Sequence, residues 1–250
     1  MNVTELSFYG DLAPWWPLIS PVEDHREEAA FVLGLLGDTP TRRRTLLELG
    51  SGGGHNAWYL RDRFDLTLVD RSEAMLVVSR ELNPDADHVC ADMRTVRLDR
   101  TFDVVFVHDA IDYMTDDADL RAALTTAFVH LRPGGTTVIV PDATREIFVP
   151  GHDSGGSDGA DGRSVRFLEW TIDPGPEATV VATEYVFLLR QADGRLEVGH
   201  DSHRTGLFPR STWLRTLSDV GFEATLIEET TTEDRTPRDV FVAIRPESAG

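Results

Sequence analysis

The sequence contains no lysine, and all 24 of its basic residues are arginine. Without lysine there is no Schiff-base nucleophile and no lysine of the kind that completes a phosphate-binding loop. Basic residues are also outnumbered, since 43 aspartates and glutamates leave a formal net charge of −19. Because nucleic-acid-binding proteins normally present a basic face, this balance argues against a nucleic acid as substrate or partner.

Cysteine is nearly absent as well. The single residue, Cys90, excludes an internal disulfide and a zinc cluster built from thiolates. It stands between Val89 and Ala91 in a strand-like run, which predicts a position in the core rather than a role as nucleophile.

Long apolar segments are missing too. No stretch approaches the roughly 20 consecutive apolar residues that cross a bilayer, and the first residues lack the basic, then apolar plan of a signal peptide. We therefore expect a cytoplasmic protein with no membrane partner. A length of 250 residues with 41% apolar content predicts one domain with a substantial core.

From Thr45 onward, apolar runs alternate with helical stretches. The predicted strands are Leu46–Leu49, Leu66–Asp70, His88–Ala91, Phe102–Val107 and Thr136–Val140, and the helices between them are Asn56–Arg63, Glu73–Leu82 and Ala118–Leu131. This alternation predicts a doubly wound, Rossmann-like α/β fold. Before it, a capping box at Ser20–Glu23 predicts the start of a helix that ends at Gly37.

The pattern changes after the fifth strand. Gly151–Arg163 is a Gly/Asp/Ser tract and predicts a mobile surface loop. Thr179–Leu189 and Leu196–His200 then predict two antiparallel strands, followed by a last helix near Ser211–Val220 and two final strands. His and Asp residues in the tract match no metal-ligand spacing, so no metal site is expected; they are His152, Asp153, Asp158 and Asp161.

A glycine-rich turn, Gly50–Gly54, follows the first strand and opens a helix. Glycines there permit positive φ and let a ligand lie against bare backbone. The dinucleotide-binding fingerprint needs glycine or alanine where this sequence has His55, which weakens the alternative of an NAD-dependent oxidoreductase.

Glu48, Gly50, Gly52 and Gly54 resemble the acidic-x-Gly-x-Gly-x-Gly loop of class I S-adenosylmethionine-dependent methyltransferases. Asp70 ends the second strand roughly 20 residues later, where a carboxylate accepts ribose hydroxyls. The resemblance further implies that Asp92, ending the third strand, meets the adenine amino group. Acidic residues at strand ends are often only helix caps, and this alternative stays open for each one.

The likeness covers about residues 45–142 and includes the segment after the fourth strand and the turn Pro133–Gly135. A weaker likeness joins the chain to N-methyltransferases of glycine and of nucleotide-linked amino sugars. The expected fold is a mostly parallel seven-stranded sheet with an antiparallel β insertion after strand five. The corresponding divisions of a single domain, 1–250, are an N-terminal cap (1–40), a core (41–144 and 207–247) and the insertion (145–206).

The resemblance implies S-adenosylmethionine as the cofactor. The residues expected to bind it are Glu48, Gly50, Ser51, Gly52, Gly54, Asp70, Arg71, Met75, Asp92, Met93 and His108.

The methyl acceptor is expected above strands four and five, beneath the N-terminal segment and the insertion. His108 is the leading candidate for a general base, with a purely structural histidine as the alternative, and His203 and Tyr113 are further catalytic candidates. The expected substrate-binding residues are Tyr9, Trp15, Trp16, Asp109 and Arg204. The aromatic residues among them either form a lid or only pack the N-terminal segment onto the core.

The sequence thus predicts methyl transfer to a nitrogen or oxygen of a small molecule, with an amino sugar or another secondary metabolite as candidates. A cofactor fold used for non-methyl chemistry, or for cofactor binding alone, is the main alternative. Formation of a homodimer is left open.

Overall fold

The computed structural model describes residues 3–37, 44–232 and 236–247. Its strands are β1 (Val3–Glu5), β2 (Arg44–Leu49), β3 (Phe64–Asp70), β4 (Asp87–Cys90), β5 (Phe102–His108), β6 (Leu131–Val140), β7 (Gly151–Gly155), β8 (Ser164–Thr171), β9 (Val180–Arg190), β10 (Leu196–Gly206), β11 (Glu223–Glu228) and β12 (Asp239–Ile244). Its α-helices are α1 (Trp16–Ile19), α2 (Arg26–Leu36), α3 (His55–Leu60), α4 (Glu73–Leu82), α5 (Asp117–His130) and α6 (Arg210–Val220). Short 3₁₀ turns occupy Ala13–Trp15, Val22–His25 and Ala110–Tyr113.

A seven-stranded sheet in the order β11-β12-β6-β5-β2-β3-β4 forms the core. Pairing is parallel from β6 through β4, whereas β12 runs antiparallel to both of its neighbours. The central strands are almost entirely apolar because packed elements cover both faces of the sheet. Trp213 and Leu124 lie in the cluster on one face, and Val32 and Leu60 lie in the cluster on the other. The predicted Rossmann-like α/β class is confirmed.

The insertion builds a second sheet, in which the details differ from the expectation. Its order is β1-β10-β9-β8-β7, so it contains four strands of the insertion where the sequence pattern predicted two. The tract predicted as a mobile loop contributes β7. The N-terminal strand β1 also joins this sheet, pairing in parallel with β10. Local patterning does not reveal a pairing between segments so far apart in sequence.

The N-terminal segment is fixed between the two sheets. Phe8 and Trp15 pack against Phe187 and Val165 on the inner face of the second sheet. On the other side, the hydroxyl of Ser72, at the start of α4, donates a hydrogen bond to the carbonyl of Tyr9. The second sheet and the core are therefore linked through this segment.

Two local predictions were wrong. The capping box is not formed, because the Ser20 hydroxyl pairs with the ring of His25 at 2.8 Å and α2 begins only at Arg26, without a side-chain cap. Cys90 is exposed rather than buried, because β4 is the edge strand of the core sheet. The predicted boundary between cap and core, at residues 40 and 41, lies outside the described residues. No helix in the described part of the chain is long and apolar enough to span a membrane.

Candidate active site

A cavity of about 510 Å³ lies at the carboxyl ends of β2, β3, β4 and β5. This volume is typical of small-molecule sites, which range over about 300–1,000 Å³. The N-terminal segment and β10 contribute its other walls. The cavity brings together most of the residues predicted from the sequence: Tyr9, Trp16, Glu48, Gly50, Ser51, Gly52, Asp70, Arg71, Asp92, Met93, His108, Asp109, Tyr113 and His203.

Four predicted residues lie outside the cavity lining. Gly54 is the N-cap of α3 and packs against α4, where Asn83 donates to its carbonyl at 2.9 Å. Met75 is fully buried beneath the glycine turn. Trp15 is buried among apolar residues of the second sheet, and Arg204 is exposed on the strand face opposite to His203.

The glycine turn after β2 needs glycine for two reasons. Gly50, Gly52 and Gly54 all have positive φ, between 51° and 77°. At Gly50 a side chain is also sterically excluded, since a Cβ there would overlap that of Ala110 and lie 2.8 Å from the methyl group of Met93. The turn therefore presents bare backbone to the cavity.

Two carboxylates lie beneath this turn. Glu48 is buried, burial raises its pKa to about 8, and its Oε2 has no hydrogen-bond partner among the described residues. Asp70 accepts the backbone N–H groups of Gly52 and Ser72, both at 2.8 Å. Burial raises the pKa of Asp70 above its usual range, although these N–H groups oppose the rise. Both carboxylates are placed to receive a polar or cationic ligand.

Asp92 is held by an arginine that the sequence analysis missed. The guanidinium of Arg94 contacts both oxygens of Asp92 and also reaches Asp119 on α5 at 2.6 Å. The hydrogen bonds from Arg94 lower the pKa of Asp92, outweighing a small effect of burial. Both Asp92 and Arg94 line the cavity. The Asp92-x-Arg94 spacing could have predicted this ion pair, because it brings the two side chains together on one turn.

The N-terminal segment, the turn after β5, and β10 together contribute a connected polar network to the cavity. The Tyr113 hydroxyl lies 2.9 Å from the Tyr9 hydroxyl and 2.7 Å from His203 Nδ1. His203 Nε2 lies 3.1 Å from Asp201, which also accepts the backbone N–H of Phe8. We call Tyr9, Tyr113, Asp201 and His203 the tyrosine–histidine network. Sequence analysis missed Asp201, although its i, i+2 spacing from His203 on a strand puts both on one face.

His108, the leading base candidate, is enclosed by charged groups. Its Nδ1 lies 3.0 Å from Asp109, and its Nε2 lies 2.8 Å from the guanidinium of Arg238. Burial opposes ionisation of the ring, but Asp109 and Glu28 outweigh it and raise the pKa of His108. Because arginine only donates, a protonated ring must turn its Nε2 from Arg238 toward Glu28, 3.5 Å away. With both nitrogens engaged, this geometry favours the structural alternative for His108.

Comparison with known proteins agrees with this arrangement. A family model described as a methyltransferase domain matches residues 46–135. The dTDP-3-amino-3,6-dideoxy-alpha-D-glucopyranose N,N-dimethyltransferase of Streptomyces fradiae is 29% identical over 221 residues, covering 87% of this chain and 86% of the relative.

Solved structures give the same picture. The sugar N-methyltransferase KedS8 from Streptoalloteichus has a TM-score of 0.78 and 27% identity, with 99% of each chain covered. The S-adenosylmethionine-bound CalS10 from Micromonospora echinaspora, an amino pentose methyltransferase, has a TM-score of 0.72 and 27% identity, covering 87% of this chain and 90% of that one.

The chain is a class I S-adenosylmethionine-dependent methyltransferase. Its cofactor is S-adenosylmethionine, and it methylates a nitrogen or oxygen of a small molecule. The site of this methyltransferase fits that cofactor, because bare glycine backbone adjoins the unpartnered, buried Glu48 Oε2 and Ser51 Oγ. No group of three or more His, Cys, Asp or Glu side chains suited to a metal ion occurs within the described ranges.

The first prediction concerns the glycine turn of the methyltransferase. Gly50→Ala should lower the affinity for S-adenosylhomocysteine by about 100-fold, since the new Cβ both overlaps Ala110 and strains a residue with φ of +77°. Isothermal titration calorimetry measures this affinity. Gly175→Ala is the matched control, because Gly175 has φ of +80° but nothing within 4 Å of the added carbon. Equal affinities for both variants would contradict the close approach of the turn.

A second prediction follows from Glu48. Its pKa of about 8 lies above the unfolded value of 4.5, so the folded state resists ionisation of this carboxyl. In the cofactor-free protein, the stability of wild type relative to Glu48→Gln should fall by as much as about 1.4 kcal/mol per pH unit between about pH 5 and 8, then level off. Urea unfolding at several pH values measures the difference. Glu81→Gln, at an exposed position of α4, provides the control. A difference that does not change with pH would show that Glu48 is not buried as described.

Proposed function

We propose that this methyltransferase N-methylates the amino group of a small molecule, with an amino sugar as the acceptor. The activities for which its relatives are named support the proposal, since the Streptomyces fradiae relative is named for a dTDP-linked amino sugar and KedS8 for sugar N-methylation. The observation that carries it is the tyrosine–histidine network, which supplies proton acceptors on the wall of the cavity.

When bound, S-adenosylmethionine supplies an electrophilic methyl group on a sulfonium that is already a good leaving group. The protein must then orient the acceptor, exclude water and receive one proton. Orientation alone can contribute roughly 7–11 kcal/mol. Bare backbone at Gly50–Gly54, with Glu48, Ser51 and Asp70 beneath it, provides the polar contacts for the cofactor. In this proposal Asp70 binds the ribose and Asp92 with Met93 the adenine.

The tyrosine–histidine network has two proton arrangements. In one, neutral His203 donates from Nε2 to Asp201, and its Nδ1 accepts the hydroxyl proton of Tyr113. In the other, His203 carries an extra proton on Nδ1, and Tyr113 donates to Tyr9 instead. A protonated acceptor amine must lose one proton before its nitrogen lone pair can attack the methyl group, and the network takes that proton up on His203. Asp201 neutralises the resulting imidazolium.

The sequence left two roles open for the aromatic residues of the N-terminal segment, a lid over the site or packing of the segment onto the core, and the structure supports both for different residues. Phe8 and Trp15 face the second sheet and pack the segment in place. Tyr9 and Trp16 line the cavity, where π faces favour a cationic neighbour. We propose that Tyr9 and Trp16 bind the reactants, and that the cap, core and insertion act as one domain, 1–250.

The proton-accepting role of His203 is tested by His203→Asn. Turnover should fall by about 10²-fold, the lower end of general-base effects, because an amine can also release its proton to water. The acidic limb of the pH–rate profile should move, while affinity for S-adenosylhomocysteine should stay unchanged. His200→Asn is the control. His200 lies on the same strand and also pairs with a carboxylate, that of Glu184, but its side chain is on the opposite face of the sheet from His203. Wild-type turnover in the first variant would remove His203 from the mechanism.

We also propose that the chain forms a homodimer through the outer face of the second sheet. Large apolar side chains are exposed on this face, and Trp170 is 58% exposed. They are Leu168, Trp170, Val186, Leu188 and Leu196. The same face carries Arg166, Arg190 and Arg204 alongside Glu184, so its charges offset one another more than those of the whole chain, whose net charge is −19. That overall charge also supports a small-molecule rather than a nucleic-acid substrate. Cytoplasmic location stays a prediction.

Sedimentation velocity at micromolar concentration tests this interface. Wild type should sediment as a dimer, whereas Trp170→Glu should be monomeric, because it buries a charge in an apolar contact. Val149→Glu is the control, since Val149 is 71% exposed but lies outside the sheet. A monomeric wild type, or a dimer that survives Trp170→Glu, would reject this face as the interface.

A further inference from the structure

The acceptor end of the cavity, defined by Tyr9, Asp109, Tyr113 and His203, adjoins two accessible carboxylates. The Asp109 side chain is 42% exposed and that of Asp142 is 60% exposed. Asp109 lines the cavity itself. Asp142 follows β6 and is close enough to Tyr9, Tyr113 and Tyr185 to raise the pKa of each hydroxyl, adding to the larger effect of burial. Ligands that enter this end therefore meet negative charge.

The cation nearest to these carboxylates is already occupied. Arg238 is only 14% exposed and contacts Glu28 at 2.9 Å, Asp142 at 3.3 Å and Asp109 at 3.4 Å. It also donates to His108. One guanidinium thus serves three carboxylates and an imidazole, and an anion would have to compete with those carboxylates for it.

The cluster still holds more acid than base, since the carboxyls of Glu28, Asp109, Asp112 and Asp142 stand against one guanidinium and the imidazole of His108. Desolvation by the surrounding groups and the charge on Asp109 together raise the pKa of Asp142 to about 7. Asp112, directly behind it, accepts the backbone N–H of Asp142 at 2.6 Å. Asp112 is buried, and its second oxygen has no hydrogen-bond partner among the described residues. A further cation at this end would relieve the excess, whereas an anion would add to it.

The arginines that line the described part of the cavity lie elsewhere. Arg71 follows Asp70 at the end of β3, and Arg94 is held by Asp92 and Asp119 beyond β4. Both belong to the side proposed to bind the ribose and adenine. Arg204, which the sequence predicted to bind the substrate, is on the outer face of β10. Among the described residues, the acceptor end therefore has no guanidinium placed to hold a phosphate.

We propose that the acceptor binds as a cationic amine free of phosphate, its ammonium group held by the carboxylates of Asp109 and Asp142 against the rings of Tyr9 and Tyr113. The inference rests on the proposed N-methylation and narrows its substrate class. It separates this chain from the relatives named for dTDP-linked sugars, since a pyrophosphate would be repelled by the same carboxylates.

Binding probes test the proposal independently of turnover. Tetramethylammonium, titrated into the protein saturated with S-adenosylhomocysteine, should bind at the acceptor end of the cavity. Its affinity should fall about tenfold in Asp142→Asn. Inorganic pyrophosphate should show no binding at this site. Asp219→Asn, at an exposed position of α6, is the control variant. Absence of tetramethylammonium binding, an affinity unchanged in Asp142→Asn, or pyrophosphate binding sensitive to that substitution would each overturn the inference.

A turnover comparison separates this inference from the proposed function. The acceptors are 3-amino-3,6-dideoxyglucose as its methyl glycoside and as its dTDP conjugate. We expect kcat/KM for the methyl glycoside to exceed kcat/KM for the conjugate at least tenfold. In Asp142→Asn the ratio of these two kcat/KM values should be smaller than in wild type, chiefly because KM for the methyl glycoside rises. Preference for the conjugate would reject the inference while leaving N-methylation intact. Turnover of neither acceptor would reject the amino sugar as substrate, and the binding probes would then decide the inference alone.

Discussion

The rest of the site depends on the contact between the backbone at Gly50 and the side chains of Ala110 and Met93. These three residues follow three different strands of the core sheet, β2, β5 and β4. Because no Cβ separates them, the strand ends converge closely enough for their polar residues to surround one cavity. The fold supplies parallel strand ends, and this contact sets the distance between them.

Where the structure could be predicted from the sequence, the determinants were local. The alternation of apolar strands with helices predicted the core, and positive φ at Gly50, Gly52 and Gly54 agrees with the requirement for glycine in the turn. Glu48 was found from its place in the acidic-x-Gly-x-Gly-x-Gly loop, and Asp70 because it ends a predicted strand. These signals depend on spacing over a few residues, which a single sequence records directly.

What could not be predicted depended on residues distant in sequence. His108 was the leading candidate for a general base, but Arg238, which engages its ring, lies 130 positions further along the chain. Likewise, β1 pairs with β10 across nearly the whole sequence, and that pairing brings Tyr9 to Tyr113 and His203. Cys90 has apolar neighbours in sequence, yet its exposure depends on β4 being the edge strand, which is a property of sheet order.

The exposed position of Cys90 has a practical consequence for following the protein in solution. It is the only thiol in the chain, and it pairs in register with Asp70 at the rim of the cavity. With no lysine in the sequence, amine-directed reagents have no side chain to modify, so thiol chemistry labels one defined place. A fluorophore attached there sits within a few residues of Arg71 and Asp92 on the cavity wall, and native protein can report ligand arrival optically without an engineered cysteine.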